Sequence, residues 1–158
     1  MFEWLKRSTS WQPSHVTGGE RVLKSISAGD TPVSTTASWN GTELVVRCEE
    51  AGSIALFDVP LPNVEQCRIT YRFRITAADL KSAVYPEMWV RLPERGLFFS
   101  RGVDRKIKGP VEGAAVEIPF FLERGQRADF AHLNLACEGP VVVRLADFEI
   151  GIADVAAR

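Results

Sequence analysis

The sequence predicts an all-β protein, a single antiparallel β-sandwich of jelly-roll type with about eight to ten strands and at most one short helical turn. Three observations carry this. Apolar residues alternate along its clearest runs: Ile69, Tyr71, Phe73 and Ile75; Met88, Val90 and Leu92; Leu133, Leu135 and Cys137. That period of two is the signature of a half-buried strand. Turn signals recur roughly every 8–12 residues. Almost no stretch reads as helix.

The elements follow in order. Residues 1–19 form a lead-in, in which Phe2, Trp4 and Leu5 could make one amphipathic turn before a polar stretch ending in Gly18-Gly19. The sandwich domain spans 20–152 and a tail spans 153–158. Arg21–Ile26 is a short strand. Val33–Trp39 and Thr42–Cys48 flank Asn40-Gly41, a two-residue hairpin signal because a type I′ turn needs positive φ at both positions. Ser53–Val59 is a strand that Pro60-Leu61-Pro62-Asn63 breaks. Cys67–Ile75 is the clearest strand, and Thr76–Ala83 reads as the one helical turn, with Thr76 as N-cap. Glu87–Leu92, Gly96–Ser100, Ala115–Leu122, Phe130–Cys137 and Val141–Ile150 complete the set, the last two joined at Glu138-Gly139-Pro140. The alternation slips at Ala146-Asp147, which predicts a bulge.

At 158 residues the chain fits one domain that needs no covalent staple. The net charge of −1 gives no argument for nucleic acid as a partner, and none is expected. The charge is uneven: −3 over residues 1–65, +6 over 66–109 and −4 over 110–158. A basic centre could draw an anion, and opposite charges pairing across strands would account for the same pattern. The odd count of cysteines, Cys48, Cys67 and Cys137, with no close pair, predicts buried thiols rather than a disulfide or a metal site. No signal-peptide core and no run of transmembrane length is present, so a cytoplasmic location is expected.

The residues between the apolar ones are the functional clue. If the Cys67–Ile75, Glu87–Leu92 and Phe130–Cys137 strands are neighbours, Arg72, Arg74, Trp89, Arg91, His132 and Asn134 share one surface. An indole can stack on the apolar face of a sugar, and guanidinium and amide groups pair with its hydroxyls or with a carboxylate. An ordinary solvated face, with Glu87 and Glu117 pairing the arginines, is the alternative. A second candidate is the Phe98–Lys106 loop, with two aromatics and three basic residues. Catalysis has little support: there are only two histidines, His15 and His132, and no nucleophile elbow, phosphate loop or zinc spacing. Asp129 near His132 falls on the opposite strand face. No catalytic residue, cofactor or metal is assigned.

The run Glu87-Met88-Trp89-Val90-Arg91, then Ile107-Lys108-Gly109, Ala115–Leu122, Leu133-Asn134-Leu135 and the closing Gly139–Ile150 resembles the galactose-binding-like jelly rolls, which include many carbohydrate-binding modules. The resemblance covers residues 44–150. It implies the sandwich fold and a non-catalytic binding role. Two positions depart from it: Ala146 stands where relatives carry the first of two aspartates, and Gly113-Ala114 where a Trp is common. A structural calcium is frequent in that family; here Asp147 is the one matching carboxylate, and no metal is expected.

The expected function is therefore a binding module for a carbohydrate or other polyhydroxy or anionic ligand on the Arg/Trp face. The alternative is a structural or assembly protein that uses the same face or a sheet edge to bind a protein partner or its own copy.

Overall fold

The computed structural model describes residues 16–156. In chain order its strands are β1 (Arg21–Ile26), β2 (Ala37–Asn40), β3 (Glu43–Cys48), β4 (Gly52–Glu65), β5 (Cys67–Ala77), β6 (Val84–Leu92), β7 (Gly96–Arg101), β8 (Val111–Phe121), β9 (Arg127–Cys137) and β10 (Val141–Asp154). One 3-10 turn, Val103–Arg105, interrupts them. All pairings are antiparallel. One sheet runs β2-β3-β10-β5-β8, with β1 also on β10; the other runs β4-β9-β6-β7. The all-β, jelly-roll expectation holds.

The period-two pattern explains the layers. On β5 the residues Cys67, Ile69, Tyr71, Phe73 and Ile75 are buried, as are Val84, Met88, Val90 and Leu92 on β6 and Ala131, Leu133 and Leu135 on β9. These inward residues form one apolar core between the sheets. Burying such side chains stabilises by about 1.5–3 kcal/mol each. Phe148 sits at the centre, its ring 5.3 Å from that of Phe57 and 5.6 Å from that of Phe73. Tyr71, wholly buried, crosses from one sheet to donate its hydroxyl to the backbone carbonyl of Asn134 in the other, at 3.3 Å.

Several local expectations are corrected. The hairpin turn lies one residue later: Asn40 pairs with Glu43, and Gly41 alone takes positive φ, +67°. β4 runs through Pro60 and Pro62 instead of ending there, because it is an edge strand and needs no donor on its outer side. Its register shifts between Pro60 and Val64, where Asn63 takes a φ of +51°. Thr76 and Ala77 continue β5, and the segment after them is irregular; the helical turn is at Val103–Arg105. The β10 bulge is where the alternation places it, between Ala146 and Glu149, with Asp147 at φ +55°. On β8, the carbonyls of Glu117 and Pro119 accept from Arg105 and from Ser100, at 3.2 and 2.7 Å.

The cysteine expectation is also overturned. Cys48, at the end of β3, and Cys137, at the end of β9, form a disulfide that joins the two sheets, 89 residues apart in sequence. Cys67 is the free, buried thiol. At the chain start, Val16 bridges to Val155 and the Thr17 amide donates to the Asp154 carbonyl at 2.9 Å. The amphipathic turn expected in the first residues lies outside the described residues, as do 157–158.

Candidate functional site

The topology splits the six expected site residues. β9 and β6 are neighbours, so Trp89, Arg91, His132 and Asn134 share the outward face of the four-stranded sheet. Arg72 and Arg74 do not join them. They lie on β5, in the other sheet, and point away from the core on the opposite side of the sandwich. Parity points all six side chains away from the core, but β5 is not a neighbour of β6 or β9.

The four-stranded face is laid out in rows. One row is Asp58, His132, Trp89 and Phe99; the next is Ala55, Asn134, Glu87 and Arg101. Glu87 is the key to both. It has the outward parity of Trp89 and Arg91, yet only 2% of it is exposed. Its Oε1 accepts from Ser53 Oγ at 2.8 Å, Asn134 Nδ2 at 3.1 Å and the Trp89 indole N–H at 3.2 Å. Its Oε2 accepts from Arg101 Nε at 2.7 Å. Burial pushes the carboxyl pKa up. The bonds from Asn134, Ser53 and Trp89 and the charge of Arg101 outweigh burial, and hold it below the ordinary 4.5. Glu87 is therefore an ionised anchor that fixes an indole, an amide and a guanidinium. Sequence reading placed it among exposed partners of arginines; a carboxylate at an outward position beside Trp89 was the available signal.

The rest of the face is aromatic and paired. The Trp89 and Phe99 rings are 5.0 Å apart, and Arg101 lies 4.4 Å over the Phe99 ring. Arg91 grips Asp129 with two bonds, of 2.8 and 3.0 Å, and lies 5.3 Å over Phe130. That bond and the guanidinium charge hold the Asp129 carboxyl below its usual range. His132 Nδ1 is 2.7 Å from Asp58 Oδ1, so its carboxylate partner is Asp58, not Asp129.

On the opposite face, Arg72 is enclosed by three carboxylates. It bonds Glu20 through both terminal nitrogens, Glu117 Oε2 at 3.1 and 3.2 Å, and Glu149 Oε1 at 3.4 Å. Glu20 reaches it by crossing β10 above Gly151, where a Cβ would come within 2.6 Å of Glu20 Oε1. Arg74 donates to the Gly113 carbonyl at 2.8 Å and stands 3.7 Å from Asp147. Glu117 and Glu87 thus lie on opposite faces of the sandwich.

The Phe98–Lys106 loop does not converge on one tip. Arg101 turns to Glu87, Arg105 to the Glu117 carbonyl and Lys106 to Glu138. Among the described residues no three of His, Cys, Asp and Glu come together as a metal would require.

No protein-family model and no curated protein matches the sequence. Solved structures do match in shape. The VP2 subviral particle of infectious bursal disease virus has a TM-score of 0.58 at 9% identity, over 92% of this chain and 34% of that one. The Gt strain of the same virus scores 0.53 at 12% identity, over 92% and 35%. The chain thus spans about a third of the length of these viral chains. The xylan-binding module CBM15 scores 0.45 at 11% identity, over 89% of this chain and 99% of that one, and at that level the likeness has no bearing on function. Identities this low show the fold alone: the chain is a jelly-roll β-sandwich.

Proposed function

We propose that this domain is a non-catalytic binding module that receives a carbohydrate or other polyhydroxy ligand on the outward face of its four-stranded sheet. Trp89 is the stacking platform, and Arg91, His132 and Asn134 are the polar groups around it. The observation that carries this reading is the buried Glu87 carboxylate, which holds the Trp89 indole and the Asn134 amide in place. A buried charge is costly, and it persists where a full set of donors surrounds it. Side chains fixed before a ligand arrives lose little freedom on binding. Arg72 and Arg74 play no part at this face.

The test is titration of glycans against Trp fluorescence and a glycan array, with Trp89→Ala beside wild type. Saturable binding with a Trp89-dependent component that is lost in the variant is expected. An array without signal, or binding with no Trp89-dependent component, would overturn the reading.

A protein partner, or a second copy, is the other reading of the same face. The pairing of Arg91 with Asp129, Arg101 with Glu87 and His132 with Asp58 supports it, because paired charges cost less to desolvate than free ones. Trp and Arg are also the usual interface anchors. Sedimentation of wild type against Arg91→Glu separates the two readings: self-association lost in the variant favours the interface, and a monomer that binds glycan excludes it.

The Cys48–Cys137 bond supports an oxidising compartment for this domain, in place of the cytoplasm expected from the missing signal-peptide core.

A further inference from the structure

A cleft of about 1010 Å³ opens on the outward face of the six-stranded sheet. Its origin is a seam. β10 is paired with β3 over Val141–Leu145 and with β1 over Phe148–Ile152, so at Ala146–Asp147 neither strand lies beside it. The bulge sits at this gap, and Asp147, in the left-handed region at φ +55°, lines the cleft. The wall made by the end of β1 and the turn after it, Ser25–Gly29, is held in shape by Asp30: its carboxylate accepts from the Ser27 amide at 2.9 Å and from Lys24 at 3.1 Å. The opposite wall carries Arg105, tied to the Glu117 carbonyl at 3.2 Å. A volume of this size suits a small ligand.

The charges decide which ligand. Three arginines, 72, 74 and 105, and three carboxylates, Glu117, Asp147 and Glu149, line the cleft. Arg72 is taken up by Glu20, Glu117 and Glu149, and with Glu20 included the local balance is −1. A ligand carboxylate or phosphate would enter a neutral to negative field. A hydroxyl suits it better, being donor and acceptor at once: it can accept from a guanidinium and donate to a carboxylate. No aromatic platform is present, since Phe73 and Phe148 along the lining are 2% and 1% exposed. We propose that this cleft is a second ligand site, for an uncharged polyhydroxy molecule such as a neutral saccharide, with Arg74 and Arg105 as donors and Asp147 and Glu149 as acceptors. It stands apart from the Trp89 reading, through the full thickness of the sandwich.

The test is calorimetric and NMR titration of the full chain with a panel of neutral mono- and oligosaccharides and the matching uronates. The variants are Arg74→Ala, Asp147→Asn and Trp89→Ala, each checked for an unchanged thermal midpoint. Asn is chosen at 147 because it tolerates positive φ. The expected result is neutral-saccharide binding with shifts at Thr42, Ala115 and Asp147. Affinity read from those three shifts should fall at least tenfold in Arg74→Ala and in Asp147→Asn, with uronates at least tenfold weaker there, and the same shifts should persist in Trp89→Ala, whatever that variant does to binding on the other face. Binding that ignores Arg74 and Asp147, uronates binding as well as or better than neutral sugars, or no saccharide binding at all would overturn the cleft proposal. Binding lost only in Trp89→Ala would remove the cleft and leave the Trp89 face standing.

Discussion

The indole N–H of Trp89 is bonded to the carboxylate of Glu87, two residues earlier on the same strand. Both side chains project outward from β6, and the carboxylate is the more buried of the two. Glu87→Gln should therefore do more than remove a charge. Gln cannot accept from Arg101 and from three other donors at once, so the Trp89 ring gains freedom. A loss of about 1–3 kcal/mol in urea unfolding is expected, with lower Trp fluorescence anisotropy in the folded state.

The same carboxylate makes stability depend on acid. Its folded pKa is depressed, so its contribution is fully present above the ordinary 4.5 and is lost as pH falls through the lower folded value. Glu20, Asp30 and Asp129 are shifted in the same direction by Arg72, by the Ser27 amide and by Arg91. Denaturation midpoints measured between pH 7 and pH 3 should hold steady and then drop below about pH 4.5, the Glu reference. Glu87→Gln should flatten part of that drop. A curve identical to wild type would show that Glu87 is not ionised in the folded protein.

Thiol counting checks the disulfide. Cys67 is buried, and burial together with the nearby Asp154 charge pushes its thiol up to about 11. It should not react with an aromatic disulfide reagent at pH 8 in the native state. One thiol should appear on unfolding without reductant and three after reduction. Cys48→Ser should cost about 2–5 kcal/mol, since a long loop loses its closure.

Gly151 is needed for its lack of a side chain. Gly151→Ala should lift Glu20 from Arg72 and from Arg68, whose Nη2 donates to Glu20 Oε2 at 3.4 Å, and cost about 1–2 kcal/mol. In a Glu20→Ala background the same substitution should cost much less. Equal costs in both backgrounds would mean that the Glu20 crossing contributes nothing to stability.

Much of this was legible from residue order. Alternation on β5, β6 and β9 located both faces of each strand, and the slip at Ala146-Asp147 located the bulge. Arg72 and Arg74 went astray because parity says which way a side chain points and nothing about which strand lies alongside. That depends on long-range pairing, here β5 with β10 and β8. The same limit hid the disulfide. Cys137 shows inward parity, but its proximity to Cys48 is created by two sheets folding over 89 residues. Glu87 was visible as a residue and invisible as an anchor, because its donors Ser53, Asn134 and Arg101 come from three other strands.

The borders of the two sheets carry a consequence for how copies of this chain can meet. β4 carries Pro60 and Pro62 along its free side, and β8 has carbonyls already occupied by Ser100 and Arg105. β2, β7 and β1, which pairs on one side only with β10, are the other three borders, four, six and six residues long. A neighbouring chain seeking to extend either sheet finds missing donors, spent acceptors or too short a rail. Among the described residues, strand addition is thereby discouraged at every border, which leaves the broad faces, with their side chains, as the surfaces open to another copy.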